Sequence, residues 1–298
     1  MRNIFIFIII VGFFSPAFGQ DDLLDMLGDE APTNEPVTST FKSTRLINGH
    51  TIETRTQGVL EFIIGHRFGR LNEGGENLWG LDFAQIRLGL EYGVTDNLNL
   101  GIGRSGVDKT FDLFAKYKFL RQSNTVPFSA ALFVSGARRA DSFFENQVEG
   151  LGIPFEGKYR NAYTYQVLIA RKISSALSLQ VSPTIIHRNY VATSEEPNDL
   201  IALGMGGRYK ITNRVTVNAE YFPTFNQDND SYKNSIAIGV DLETGGHVFQ
   251  LHLTNAQRLQ ERGFIGETTG NFFDGDIHFG FNISRVFNVA VKETIPKG

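Results

Sequence analysis

HFGFNISRVFNV, His278 to Val289, decides the architecture of this chain. Alternating apolar residues run up to Phe281, pass through Ile283-Ser284-Arg285 and then resume. Such a stretch is either a strand that reverses at Ile-Ser-Arg or the last strand of a sheet. The difference matters because lipid offers no water to a sheet edge, so a membrane sheet must close on itself. The strand count of the remaining sequence decides between the two.

From Gln57 onward a period of two dominates. Candidate strands lie near 57–68, 83–94, 97–105, 110–120, 126–137, 161–173, 177–188, 200–211, 215–223, 234–244, 247–256 and 276–287. That makes twelve, an allowed even number, with lengths near the roughly 10 residues that a tilted membrane strand needs. A turn at Ile-Ser-Arg would begin an odd thirteenth strand, so 276–287 reads as the closing strand. Ile277, Phe279, Phe281, Ile283 and Phe287 share the outward parity, and Phe287 falls where an interfacial aromatic girdle belongs. Arg285 breaks the pattern, and its long side chain can snorkel to water near the membrane boundary.

The connections alternate in length. TDN (95–97), RQSNT (121–125), SSA (174–176), TNR (212–214) and Gly245-Gly246 are short, and they follow the even strands. The connections after odd strands are long, up to the stretch ARRADSFFENQVEGLGIPFEGKYR at 137–160; only the one after the third strand is short. Brief turns on one side and long loops on the other are the pattern of outer-membrane barrels. GVTDNLNL (93–100), KISSALSL (172–179) and KITNRVTV (210–217) form a weak repeat at these turns, with polar side chains positioned to cap tight reversals. Facing agrees as well: pairing Thr244 with His247 puts Ile236, Ile238, Val240 and Leu242 on one face with Phe249, Leu251 and Leu253. The turn at 212–214 likewise aligns Met205, Tyr209 and Ile211 with Val217 and Tyr221.

The expected organisation follows. Residues 1–19 read as a secretory signal peptide: one arginine, an apolar run from Ile4 to Phe14, and Ala17 and Gly19 in a small-residue cleavage pattern. That run is far shorter than the roughly 20 residues of a spanning helix. Residues 20–56 form an N-terminal extension on the periplasmic turn side or a plug, with an acidic, leucine-bearing piece, a linker, and a stretch at 41–56 that is either an extra strand or a segment tucked into the barrel mouth. The barrel occupies 57–287, and 288–298 is a short tail. The chain contains no cysteine, which excludes disulfides, thiolate metal sites and a cysteine-linked lipid anchor. Losing the signal arginine moves the net charge from −4 to about −5, and nothing suggests nucleic acid as a partner.

The inward parity carries Glu61, Arg67, Arg87, Glu91, Asp112, Lys116, Lys118, Arg188, Arg208, Lys210, Glu220, Asp241 and Glu243, with the histidines His252 and His278. The thirteen charged positions are nearly balanced in sign. A strongly selective pore concentrates one sign, whereas mixed charges pair across a narrow interior; Arg208 and Glu220 are diagonal neighbours that could pair. The lumen is therefore expected to be constricted or plugged. Asp274, Asp276 and His278 at the outer end of the last strand raise a hydrolase, but Asp-Gly-Asp is ordinary turn composition and neither G-x-S-x-G nor H-E-x-x-H occurs. His252 and His278 lack metal-ligand spacing. The acidic loop NQDNDS at 226–231 offers calcium only a weak site against its reading as a solvated loop. No cofactor is expected.

The stretches FKSTRLINGH, GVLEFIIGHRFGRL, IRLGLEYGVTDNLNLGIGRS, LIARKISSALSLQVSPTIIHRNYV, ALGMGGRYKIT, ETGGHVFQLHLTN and GDIHFGFNISRVF occur in that order. Together they resemble a family of uncharacterised membrane-bound β-barrel proteins of Gram-negative bacteria, over roughly Thr40 to Phe287; the long third loop departs from it. The resemblance implies a transmembrane antiparallel up-and-down barrel in the outer membrane, with that membrane's lipids around it. It also implies that barrel-assembly machinery reads the aromatic-ended last strand. It carries no activity or ligand. Three functions remain open: a narrow mixed-charge passage or solute-binding barrel, a scaffold that binds another envelope protein, and a surface hydrolase.

Overall fold

The computed structural model describes residues 35–289 apart from 192, 194–195, 228–229 and 245–246. The expected signal peptide, the acidic piece after it, the Gly245-Gly246 turn, part of the 226–231 loop and nearly all of the 288–298 tail lie outside the described residues.

Twelve antiparallel strands close into one barrel, each paired with its neighbours in sequence and the first with the last. They are β1 (Val59–Arg70), β2 (Ala84–Gly93), β3 (Leu98–Ser105), β4 (Phe111–Leu120), β5 (Ser129–Arg138), β6 (Asn161–Lys172), β7 (Leu177–Arg188), β8 (Asp199–Lys210), β9 (Val215–Phe222), β10 (Ser235–Thr244), β11 (His247–Thr254) and β12 (His278–Asn288). Two helices, α1 (Ser142–Gly150) and α2 (Glu261–Gly266), lie in long connections. The stretch from His278 is the closing strand: β12 pairs with β11 from Thr254↔His278 to His247↔Arg285, and with β1 from Arg70↔His278 to Val59↔Asn288. No edge is left open. Arg285 lies over the Phe287 ring, 5.0 Å from its centroid.

The barrel is inside out relative to a water-soluble sheet. Along β2 Ile86, Leu88, Leu90 and Tyr92 are exposed, while Arg87 and Glu91 between them are buried. Leu113 on β4 is 62% exposed and its strand mate Lys116 0%. Apolar side chains outside and charges inside are what a barrel dissolved in lipid requires.

The repeated turns share one device. Thr95 Oγ1 accepts from the backbone N–H groups of Asn97 and Leu98, Ser174 Oγ from those of Ala176 and Leu177, and Thr212 Oγ1 from those of Arg214 and Val215. A hydroxyl thus satisfies two donors that the tight reversal removes from the ladder. Ser123 does the same for Thr125 and Val126, a fourth case outside the sequence repeat. The facing of neighbouring strands follows, with Thr244↔His247 and Val240↔Leu251 in register, and Met205↔Tyr221 and Tyr209↔Val217.

The inner wall is not uniformly polar. Phe114, Phe133 and Leu168 point inward and pack with Phe41, Leu46 and Ile52 of the N-terminal segment. A second inward group, Ile186, Leu200, Ala202 and Phe222, packs with Ala256, Phe264 and Ile265 of the β11–β12 connection. Glycine makes room for these groups: a Cβ at Gly101 would lie 2.1 Å from the Phe114 ring, and one at Gly206 2.4 Å from Leu46 Cδ2.

Candidate functional site: a lumen filled from both ends

Residues 41–56 neither form a thirteenth strand nor rest at the mouth alone. Thr44 to Thr51 make a tight hairpin inside the barrel, with Arg45 bridged to His50, Leu46 N–H bonded to Gly49 O (2.8 Å) and Thr51 N–H to Thr44 O (2.9 Å). Its tip is Ile47-Asn48-Gly49, and Asn-Gly is the dipeptide most suited to a sharp reversal. Leu46, Ile47, Asn48, His50, Thr51 and Ile52 are all buried.

The wall receives this hairpin with hydrogen bonds to its backbone. Glu220 accepts from three successive N–H groups, Ile47 (3.2 Å), Asn48 (2.8 Å) and Gly49 (3.2 Å). Asn282 donates to Ile47 O (2.9 Å), Gln250 to Leu46 O, and Gln180 donates to His50 O (2.7 Å) while accepting from Ile52 N–H (2.8 Å). Arg67 Nη2 reaches Asn48 Oδ1 at 2.5 Å. A buried backbone group must find a partner or cost free energy, and here the wall side chains supply it. The expected Arg208–Glu220 pair does not form: Gly206 stands opposite Glu220, Arg208 stands opposite Asn218, and the hairpin tip occupies the carboxylate.

The other predicted lining residues divide by partner. Glu61 binds Arg55 of the N-terminal segment through two bonds of 2.8 Å and accepts from Thr44 Oγ1 (2.8 Å). Arg87 and Asp112 pair within the wall, as do Lys116 and Glu91 (3.3 Å), the latter also holding Asn99 (2.7 Å). Lys118 lies 3.8 Å from Glu53, and Glu243, half-buried, binds Lys42. Asp241 accepts from Gln250 (2.7 Å) and Thr216 (3.2 Å). Arg188 donates to Pro197 O (2.7 Å) and faces Glu196 at 3.5 Å, beyond the strand end. Arg208 and His252 are buried, and Lys210 is half-buried near the turn end.

The long-loop end contributes its own filling. All six residues of α2 are buried, and Glu261 accepts from Arg45 Nη1 at 2.9 Å, so the loop and the N-terminal hairpin meet inside the lumen. Above this contact Glu267 binds Arg262 (2.8 Å) and Arg258 (3.3 Å), and Arg258 also reaches Asp108 (3.1 Å). Burial by itself would push the Glu267 carboxyl up, but Arg262 and Arg258 hold it below the usual carboxylate range. Two cavities between hairpin and wall measure about 20 and 10 Å³, room for about one water molecule each. At the turn end a wider recess of about 490 Å³ opens beside Pro36–Ser39, Glu53, Lys118 and Arg121.

The group suggested for hydrolysis is occupied by structural bonds. Asp276 accepts from Asn72 (2.9 Å), Arg70 (3.2 Å) and Asn271 N–H (2.9 Å), and His278 Nδ1 lies 2.8 Å from Phe68 O. Among the described residues no group of three His, Cys, Asp or Glu is placed to hold a metal ion. In the 226–231 loop the Asn226 side chain bonds the backbone of Asp199 and Ile201.

The lining residues expected from sequence do not include the side chains that seat the plug, chiefly Phe114, Phe133 and Leu168. Their signal was present: Phe114 stands on the same parity as Asp112, Lys116 and Lys118, an apolar residue on a charged face.

An apolar exterior and a closed twelve-stranded ladder define a membrane-bound β-barrel. The chain belongs to the family described as membrane bound beta barrel domain (DUF5777), which matches residues 41–287. The match thus takes in the hairpin along with the strands. No curated protein matches the sequence. Among solved structures the NanC porin is 9% identical with a TM-score of 0.48, covering 76% of this chain and 98% of its own. The KdgM porin in complex with disordered oligogalacturonate is 11% identical with a TM-score of 0.48, covering 76% and 99%. An outer membrane channel from Pseudomonas putida F1 is 14% identical with a TM-score of 0.47, covering 79% and 98%.

Proposed function

We propose that this chain is an outer-membrane passage held shut by its own N-terminal hairpin, with short turns toward the periplasm and long loops outside. One observation carries the reading: the hairpin is attached to the wall mainly through hydrogen bonds and ion pairs, with Glu220, Gln250, Asn282, Gln180 and Glu61 as partners. A polar interface can exchange its bonds for water when the plug withdraws, leaving a wall that water can wet, as a passage requires. A permanently filled core has no need of so many polar contacts, which are costly unless each is satisfied. The exposed charges after withdrawal have both signs, which fits small polar solutes better than one class of ion.

The test is planar-bilayer conductance of purified protein. Wild type is expected closed or rarely open, and a chain lacking residues 20–52 steadily conducting. Silence in both sinks the passage. That outcome would leave the scaffold reading, which the apolar seat of Phe41, Leu46 and Ile52 favours. Burying three such side chains stabilises docking by about 5 kcal/mol, enough to lock the segment and reserve the loops, or the extension before residue 41, for an envelope partner.

A further inference from the structure

Arg104 and Arg138 are exposed on the outward face of the barrel, at the long-loop rim. They flank Phe111 in register, Arg104↔Phe111 across β3 and β4 and Phe111↔Arg138 across β4 and β5. Strands spaced about 4.8 Å apart put the two arginine Cα atoms roughly 10 Å from each other, so both guanidiniums can reach one phosphate-sized group. Arg104 rests on the Phe111 ring with Cζ 5.2 Å from its centroid and has no polar partner among the described residues. Arg138 donates only to neutral acceptors, Gly157 O (3.2 Å) and Asn161 Oδ1 (2.8 Å). Two guanidiniums without a carboxylate on a lipid-facing surface are costly unless an anion meets them at headgroup depth.

Toward the membrane centre the same surface is concave and apolar. Ile102, Leu113, Gly136 and Tyr163 line a groove of about 410 Å³ that runs up to Phe111 and Arg138. Gly136 creates it: this outward position, paired with Leu113 and Tyr163, lacks a side chain, and a Cβ there would meet only the Tyr163 ring at 3.7 Å. Paired arginines above an acyl-sized trough match an anionic lipid end to end, since guanidinium binds phosphate bidentately and the trough takes the chain below it.

We propose that Arg104, Arg138 and the Gly136 groove bind a phosphorylated membrane lipid, phosphate between the guanidiniums and one acyl chain along Leu113 and Tyr163. The site needs only that the outward face lie in a bilayer. It does not depend on whether the lumen conducts.

Native mass spectrometry of the full barrel in detergent tests it, with bis-phosphorylated lipid A, its dephosphorylated form and inorganic phosphate as probes. One phosphorylated lipid per barrel should be retained, and Arg104→Gln with Arg138→Gln should weaken retention by about tenfold per guanidinium. Gly136→Leu, with both arginines intact, should weaken it by about fivefold by filling the trough. Heat-modifiable gel mobility reports folding of each variant; because Arg138 also holds the loop, Arg104→Gln alone carries the test if the double variant fails to fold. Equal retention of the dephosphorylated lipid overturns the proposal. So does a Gly136→Leu barrel that retains lipid unchanged while inorganic phosphate competes fully, which would make the site one for phosphate and not for lipid.

Discussion

Replacing Glu220 with alanine should release the hairpin tip. In the wild type this carboxylate is buried and accepts three backbone N–H groups in succession, those of Ile47, Asn48 and Gly49. A hydrogen bond to a charged acceptor contributes about 1.5 to 3 kcal/mol, and bonds sharing one acceptor do not add fully. The net loss for the tip is therefore about 3 kcal/mol, since the released amides recover part of it by bonding water. At about 1.4 kcal/mol per tenfold, the ratio of open to docked hairpin should rise roughly 100-fold. Glu220→Gln keeps one acceptor oxygen without the charge, and should raise the ratio about tenfold. Amide hydrogen exchange at residues 47–49 reads the change directly, and opening frequency in a planar bilayer reads its functional side. Unchanged protection of those three amides in Glu220→Ala would refute the argument, because no other described side chain accepts from them. Faster exchange with an unchanged, silent barrel would keep the tether and remove the passage.

Three further perturbations probe the same assembly. Arg45→Met should destabilise by about 3 to 5 kcal/mol because it strands the buried Glu261 carboxylate, whereas Arg45→Met with Glu261→Met should recover most of the loss; thermal unfolding of all three variants measures the coupling. Gly101→Ala should cost about 1 to 3 kcal/mol, since its Cβ would lie 2.1 Å from the Phe114 ring, and Phe114→Leu in the same chain should relieve it, as heat-modifiable mobility will show. Acid should loosen the β11–β12 connection: the folded Glu267 carboxyl lies below its ordinary range, so its stabilisation is complete above the unfolded value of about 4.3 and is lost as pH falls through the folded one. Proteolytic cleavage within 256–270 should therefore rise only below about pH 4, and Arg262→Gln should shift that rise to higher pH.

What the sequence made legible was whatever lipid enforces. An outward residue in a hydrocarbon layer has one acceptable character, so Leu88, Leu90, Leu113 and Ile238 repeat strictly and count the strands. Turn chemistry was legible for the same local reason, since Thr95, Ser174 and Thr212 each cap donors two and three residues away. The plug was legible only as one of two alternatives for residues 20–56, because a hairpin buried on every side has no face for a period to mark. Residues 41–52 mix phenylalanine, arginine and isoleucine since their surroundings do, an apolar seat at Phe114 and Phe133 and a polar one at Glu220 and Gln250. Its one local signal is Asn48-Gly49, the turn at its tip. The failed Arg208–Glu220 pairing has the same root: a register drawn on the wall alone pairs wall groups with each other, and cannot include a third party. Glu220 serves the backbone of the hairpin, and Glu61 serves Arg55 and Thr44. Three of the wall's six acidic groups, Glu61, Glu220 and Glu243, are thus bonded to the N-terminal segment, so a count of the wall's own charges does not show how they are paired.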